Sequence, residues 1–427
     1  YVGMAPVFPH FEAAEAYIRA VSAPFGHLSD AQWRQLTESS VKAVDGGWAM
    51  RYDPGIGEPF RQTPLLEDVS LWPIYDAIGC PTLLVRGAES DLLTRETADE
   101  MGRRGPRARL VEVPGVGHAP TLMDAGQIAP VRDFLLAAGA AGGLAAAFNA
   151  PLAGILFVME EMRPQFRYSF LAIKAVGISA VMATLMLQNM KGQAPVITLP
   201  HYDAPALKAL WLFLFMGGCF GVLGFVFNKL VLACQDGYLA LHQNKRHRFV
   251  AIGMLVAGTF GVLSLFAPSV TGGGTELIPH LMDGQYAMAT LFLIFSVRLI
   301  ATLVCFCSGA PGGVFAPTLA LGTLFGVIFG HLFHTAFPEL GIEPGAFAIA
   351  GMGALFAATV RAPITGIVLV TEMTDNYQLI LPMMITTIGA TLVAQWLGGR
   401  PIYSQILERT LRLAARQNRG ESSIATG

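Results

Sequence analysis

Long uncharged apolar runs separated by short polar turns fill most of residues 141–427. Residues 210–227 and 249–266 contain no charge, 314–333 and 378–398 contain none, 287–307 carry Arg298 alone, and 169–190 carry Lys174 alone. A membrane-spanning helix needs about 20 mostly apolar residues, so this pattern predicts a polytopic helix bundle. Shorter apolar pieces lie at 152–159, 346–360 and 363–371, next to Gly/Pro breaks at 148–154, 308–317 and 360–366. Broken helices at membrane depth survive where they are buried in protein or line a cavity, and they point to ion or substrate sites.

Residues 1–140 follow another pattern. Short apolar runs at 80–87 and 108–115 read as buried parallel strands. Helical stretches are predicted within 17–48, with Ser29 and Ser39 as caps, in TRETADEMGRR after the first strand, and at 127–136 after the second. Strand, helix, strand, helix predicts a doubly wound sheet. The boundary falls in 135–144, LLAAGAAGGL, a run that permits one continuous helix across it. The chain thus reads as a partial α/β segment (1–140), a membrane helix bundle (141–413) and a tail (414–427) that is basic and then polar, expected as a frayed cytoplasmic end.

Composition sharpens the division. Apolar residues make up 53% of the 427 and charged residues 14%, against about 25% charged in soluble chains; mean hydropathy is +0.52. Of the 58 Asp, Glu, Lys and Arg residues, 30 lie in 1–140, making that part about 21% charged and the rest about 10%. Disorder and coiled coil are excluded, and a net charge of −2 gives no reason to expect nucleic-acid binding. The five cysteines form no C-x-x-C pair and read as packing residues. No signal peptide is visible in YVGMAPVFPH, which lacks a starting Met and reads like the interior of a longer gene.

Candidate chemistry in the first part is an acid and a base. Asp91 (GAESDLL) and His118 (PGVGHAP) follow the carboxyl ends of the two predicted strands, where ligand groups gather in open α/β sheets. The pattern resembles the C-terminal third of the α/β-hydrolase fold, which implies that Asp91 orients His118 as general base. No G-x-S-x-G occurs in the sequence. An acid and a base without a nucleophile cannot perform acyl transfer, so both residues read as relics and the chain as no enzyme.

In the second part, Ser308-GAPGGVFAP-Pro317 places a Gly/Pro turn before a helix start in an apolar region. Glycine lets backbone approach a ligand, while N–H groups and the positive helix end favour an anion without a basic side chain. A helix contact through small residues is the alternative. His331 and His334 have a ligand-like spacing but no third partner, so no metal site is expected. Lys245, Arg246 and Arg248 mark a cytoplasmic loop by the positive-inside tendency. Gly272–Gly274 lacks the Lys-Ser/Thr of a phosphate loop.

FNAPLAGILFVMEEMRPQFRY (148–168), SGAPGGVFAP (308–317), AIAGMGALFAATVRAPITGIVLVTEMTDNYQLILPM (348–383) and GGRPIYSQIL (398–407) resemble the CLC family of chloride channels and chloride–proton antiporters, from about 141 to 413. The resemblance implies an inverted repeat of tilted, broken helices and a homodimer with one anion pathway per subunit. It implies that Gly312 and Gly313 shape the anion site, that Val314 and Phe315 offer it backbone amides, and that Tyr403 donates its hydroxyl. Glu161 would be the internal proton-transfer acid and Glu160 its support. The alternative is that both acids cap a helix end and pair with Arg163 or Arg167. The family's first-half G-S-G-x-P and G-R-E-G-P elements do not occur in this sequence. The expected partners are chloride, protons, the lipid bilayer (a bacterial inner membrane, with the first part cytoplasmic) and a second copy; no cofactor is implied. The competing readings are a hydrolase with a membrane anchor and a non-functional fusion of two gene fragments.

Overall fold

The computed structural model describes residues 6–53, 55, 70–118, 120–162, 170–243, 245–283, 286–310 and 312–424. The chain divides into two compact units, one comprising residues 1–139 with 167–178 and the other 140–166 with 179–427.

In the first unit, β1 (Val7–Phe8), α1 (Phe11–Val21), α2 (Asp30–Ser40), β2 (Val41–Val44) and β3 (Gly47–Met50) precede α3 (Trp72–Asp76), β4 (Leu83–Gly87), α4 (Arg95–Arg103) and β5 (Arg109–Val113). Among the described residues, the expected doubly wound sheet is represented by one strand–helix–strand unit. β4 and β5 make a parallel pair, while β1, β3 and β2 make a separate antiparallel sheet. The cause of the second sheet is local. Asp45-Gly46 forms a two-residue turn, with Val44 facing Gly47 and Gly46 at φ 90°, the arrangement favoured in tight hairpins. Ser29 caps α2 reciprocally with Gln32. Ser39 is no cap; it lies inside α2 and bonds Leu36 O. Ala14, Ile18, Trp33 and Val41 form the small core of this region.

α5 (Ala125–Phe148) is unbroken through the Ala/Gly run. There follow α6 (Pro151–Glu160), α7 (Phe170–Lys191), α8 (Leu210–His242), α9 (Arg246–Phe266), α10 (Leu277–Asp283), α11 (Met288–Cys307), α12 (Phe315–Ala336), α13 (Pro344–Val360), α14 (Pro363–Thr374), α15 (Ile380–Trp396) and α16 (Ile402–Ile424). Among the described residues seven helices are long and apolar enough to cross a membrane: α5, α7, α8, α9, α11, α12 and α15. α6, α13 and α14 are shorter apolar helices. At 1.5 Å per residue, the ten residues of α6 reach about half the thickness of a bilayer core.

The second unit is built around α13, buried from Gly345 to Val360. Small residues make that possible. A Cβ on Gly322 of α12 would come within 2.4 Å of Gly351 O in α13, so the two backbones touch where any side chain would separate them. Phe213 of α8 stacks on Phe347 of α13 at 4.5 Å. α16 continues through Ile424 where the sequence predicts a frayed tail; Arg, Leu, Ala and Gln in RTLRLAARQ are good helix formers.

Candidate functional site

α6 and α14 carry the same sequence frame. Ala150-Pro-Leu-Ala-Gly154 and Ala362-Pro-Ile-Thr-Gly366 each open a helix with Pro at its first position. Their backbones match as well. Asn149 and Arg361 are left-handed at φ 48° and 71°, and Ala150 and Ala362 follow at φ −131° and −119°. Neither Ala can cap its helix by a side chain, so the first N–H groups need acceptors from elsewhere. They receive them crosswise. Leu152 N and Ala153 N donate to the Glu372 carboxylate at 3.1 and 2.9 Å. Ile364 N and Thr365 N donate to Glu160 at 3.2 and 2.6 Å, and the Thr365 hydroxyl adds a bond of 2.7 Å.

An acid at the last turn of its own helix opposes that helix's dipole by about 0.3–1 kcal/mol. Here each acid meets the positive end of the other helix, and charge-assisted bonds to amides offset its burial. Glu160 caps a helix, but α14 rather than its own. Arg163 and Arg167 lie outside the described residues. Glu161, half-buried at the end of α6, has no hydrogen bond to its carboxylate among the described residues; its electrostatic neighbours are Glu160 and Tyr403.

The SGAPGG segment is a true break. α11 ends at Cys307 and α12 starts at Phe315, with Gly309 left-handed at φ 84° and Ser308 Oγ accepting from Ala310 N at 3.3 Å. The first intrahelical bond of α12 is Thr318 N to Val314 O, 3.0 Å. The amides of Val314, Phe315 and Ala316 therefore stand at the open, positive end of a 22-residue helix. The Phe315 ring packs against Phe148, Phe157 and Phe356 with centroids 5.4, 5.4 and 4.4 Å apart. Phe157 links this helix start to the acid, since its carbonyl accepts from Glu161 N at 2.9 Å.

Tyr403 sits in the first turn of α16 and packs against the same core as Phe315. Two residues not singled out from the sequence hold its turn. Arg361 donates to Thr391 O at 2.7 Å and to Gly399 O at 2.8 Å. Buried Asn228 of α8 donates to Thr359 O at 3.0 Å and to Arg400 O at 3.2 Å.

Gly312 and Gly313 line a cavity of about 200 Å³ whose wall includes Arg298 and Thr302; Val314 and Phe315 do not line it. Arg298, 1% exposed in the middle of α11, donates to Thr271 O at 3.3 Å and Gly272 O at 3.0 Å. Gly274 is left-handed at φ 91°, and a Cβ there would lie 2.1 Å from the guanidinium. The Gly-rich segment 272–274 thus wraps a buried cation. His331 and His334 each place Nδ1 against a backbone carbonyl, of Val327 and Ile342.

The acid–base pair of the first unit is not assembled. Asp91 and His118 are both exposed, and among the described residues no hydrogen bond or ion pair joins them. The loop bearing His118 is instead fixed by backbone, with Glu89 N on Val116 O at 2.9 Å and Gly117 N on Pro24 O at 2.6 Å.

A family profile described as Voltage gated chloride channel matches residues 116–395, beginning earlier than the motif likeness does. The chain is 57% identical over 312 residues to the H(+)/Cl(-) exchange transporter ClcA of Vibrio parahaemolyticus, covering 73% of this chain and 66% of that one. It is 60% identical over 281 residues to the protein of the same name from Vibrio cholerae, covering 66% and 60%. The chain thus spans somewhat under two thirds of the length of these relatives. Among solved structures, a slow cyanobacterial Cl-/H+ antiporter superposes with a TM-score of 0.62 at 44% identity, covering 67% of this chain and 66% of that one. With a matching profile over most of its length and broken helices where the motifs lie, the chain is a multi-pass membrane protein that belongs to the voltage-gated chloride channel (CLC) family.

Proposed function

We propose that this chain carries the second-half machinery of a CLC-type chloride/proton exchanger. The observation that supports this best is the opening of α12 at Phe315 after the 308–314 break, with Tyr403 packed on the same core and Glu161 next to Tyr403. Chloride is held by the Val314 and Phe315 amides and the Tyr403 hydroxyl, in a turn shaped by Gly312 and Gly313. Amide dipoles bind an anion more weakly than a full cation does, which suits an ion that must also leave. Glu161 carries the proton, because it is the acid of the pair whose carboxylate is not committed to a helix end. A carboxylate beside apolar spans is costly and is a functional group by default.

The protein works in a bacterial inner membrane with its N-terminal part, ahead of α5, on the cytoplasmic side, as a homodimer. Support for the dimer is the exposed apolar surface of α6, α14 and α15, where Leu152, Ile364, Leu381 and Leu392 are 49–59% exposed. Asp91 and His118 are exposed and, among the described residues, joined by no hydrogen bond or ion pair, which supports no catalytic role.

Liposomes reconstituted with the chain test the proposal. Chloride efflux should drive proton uptake, and Glu161→Gln should stop proton movement while chloride still flows. Chloride flux whose proton coupling survives Glu161→Gln would overturn the role given to that acid.

A further inference from the structure

The proposed exchange makes Glu161 the proton carrier but does not explain what holds it in place; the crossed caps do. Glu161 directly follows the last residue of α6, and its amide bonds that helix at Phe157 O. α6 is only ten residues long, so its two ends fix it as a rigid rod. One end is held by Glu372 through Leu152 N and Ala153 N, the other by Glu160 on Ile364 N and on both donors of Thr365. Both anchors belong to α14. Within each helix the acid lies nine residues after its Pro, Pro151 to Glu160 and Pro363 to Glu372. Equal Pro-to-Glu spacing lets the two antiparallel helices close on each other at both ends.

We infer that Thr365 and Glu372 are positioning residues for the proton site at Glu161. They touch neither ion. Thr365, with Ile364 N, commits the Glu160 carboxylate to three bonds facing α14, and leaves the neighbouring Glu161 as the acid that faces Tyr403. Glu372 prevents α6 from sliding along its axis, which would carry Glu161 away from Tyr403. The two mirrored halves differ at one point that matters. Glu160 is followed by a second acid, whereas Glu372 is followed by Met373. Only at the Glu160 end is the capping acid directly followed by another titratable group; at the other end Asp375 comes three residues later and is exposed.

This inference rests on the exchange reading for its meaning, and its test separates the two. The full chain is studied with Thr365→Val, Thr365→Ser and Glu372→Ala, using infrared titration of the Glu161 carboxyl in detergent beside chloride and proton fluxes in liposomes. Thr365→Val and Glu372→Ala should each move the Glu161 midpoint by about half a pH unit or more and lower protons moved per chloride; Thr365→Ser should restore the parent values. Should Glu372→Ala fail to fold, the nearly isosteric Thr365→Val carries the test. Loss of stability with an unmoved midpoint would overturn the inference and leave the exchange reading intact. A moved midpoint in a protein whose chloride flux carries no protons would support the positioning role and sink the exchange reading.

Discussion

Glu160 and Glu372 stand in mirrored positions, each closing the open end of the helix that carries the other. Removing either carboxylate leaves two helix-start amides, one exposed and one part-buried, without their acceptor. Glu372→Leu is expected to destabilise the second unit by about 2–4 kcal/mol, read as a lower unfolding midpoint in detergent. Glu372→Gln, which keeps one acceptor oxygen, should lose less. Equal midpoints for the Leu variant and the parent would mean that the cap contributes nothing.

The turn before Tyr403 depends on a guanidinium. Arg361 bonds the carbonyls of Thr391 and Gly399 from a left-handed position. Arg361→Met keeps the length of the side chain but removes both donors, and should cost about 1–3 kcal/mol. Chloride affinity, measured by titration calorimetry, should fall with it because Tyr403 loses its fixed place. A stable variant with unchanged affinity would separate the turn from the anion site.

Contact between α12 and α13 leaves no room at Gly322. Gly322→Val should destabilise by about 1–3 kcal/mol or more through overpacking. Gly313→Ala, at a glycine with open space around it, should leave the unfolding midpoint near that of the parent. Thermal unfolding in one detergent compares the two directly.

Asp91 and His118 are exposed and unconnected, so Asp91→Ala and His118→Ala should change stability by less than about 0.5 kcal/mol. Neither the parent nor the variants should release product from a chromogenic ester. Turnover that disappears in His118→Ala would restore the hydrolase reading.

The apolar runs revealed nearly every helix of the second unit, because length and absence of charge are what membrane helices require. Observed α9 and α11 differ from the predicted spans by three residues or fewer at either end. The break at 308–314 was readable from its glycines and proline. The crossed caps were not singled out, although their signal is present: Ala-Pro-x-x-Gly occurs twice, each followed at the same distance by Glu. A pattern search for strands and spans passes over it, since its meaning lies in two segments about 210 residues apart meeting antiparallel. Asn228 and Arg361 were hidden for the same reason, because a single polar residue in an apolar run gives no hint of which carbonyl it meets. In the first unit, the strand pair at 83–87 and 109–113 was legible from its apolar runs. The hairpin at 41–50 was missed because its Asp-Gly turn joins strands of only four residues.

The central claim is that peptide amides at the start of α12, rather than a basic side chain, hold the anion. Anomalous diffraction from crystals of the chain grown in bromide tests it most directly. The account predicts a bromide peak at hydrogen-bonding distance from the amides of Val314 and Phe315 and from the Tyr403 hydroxyl. A peak against the guanidinium of Arg298, with none at Phe315, would contradict it.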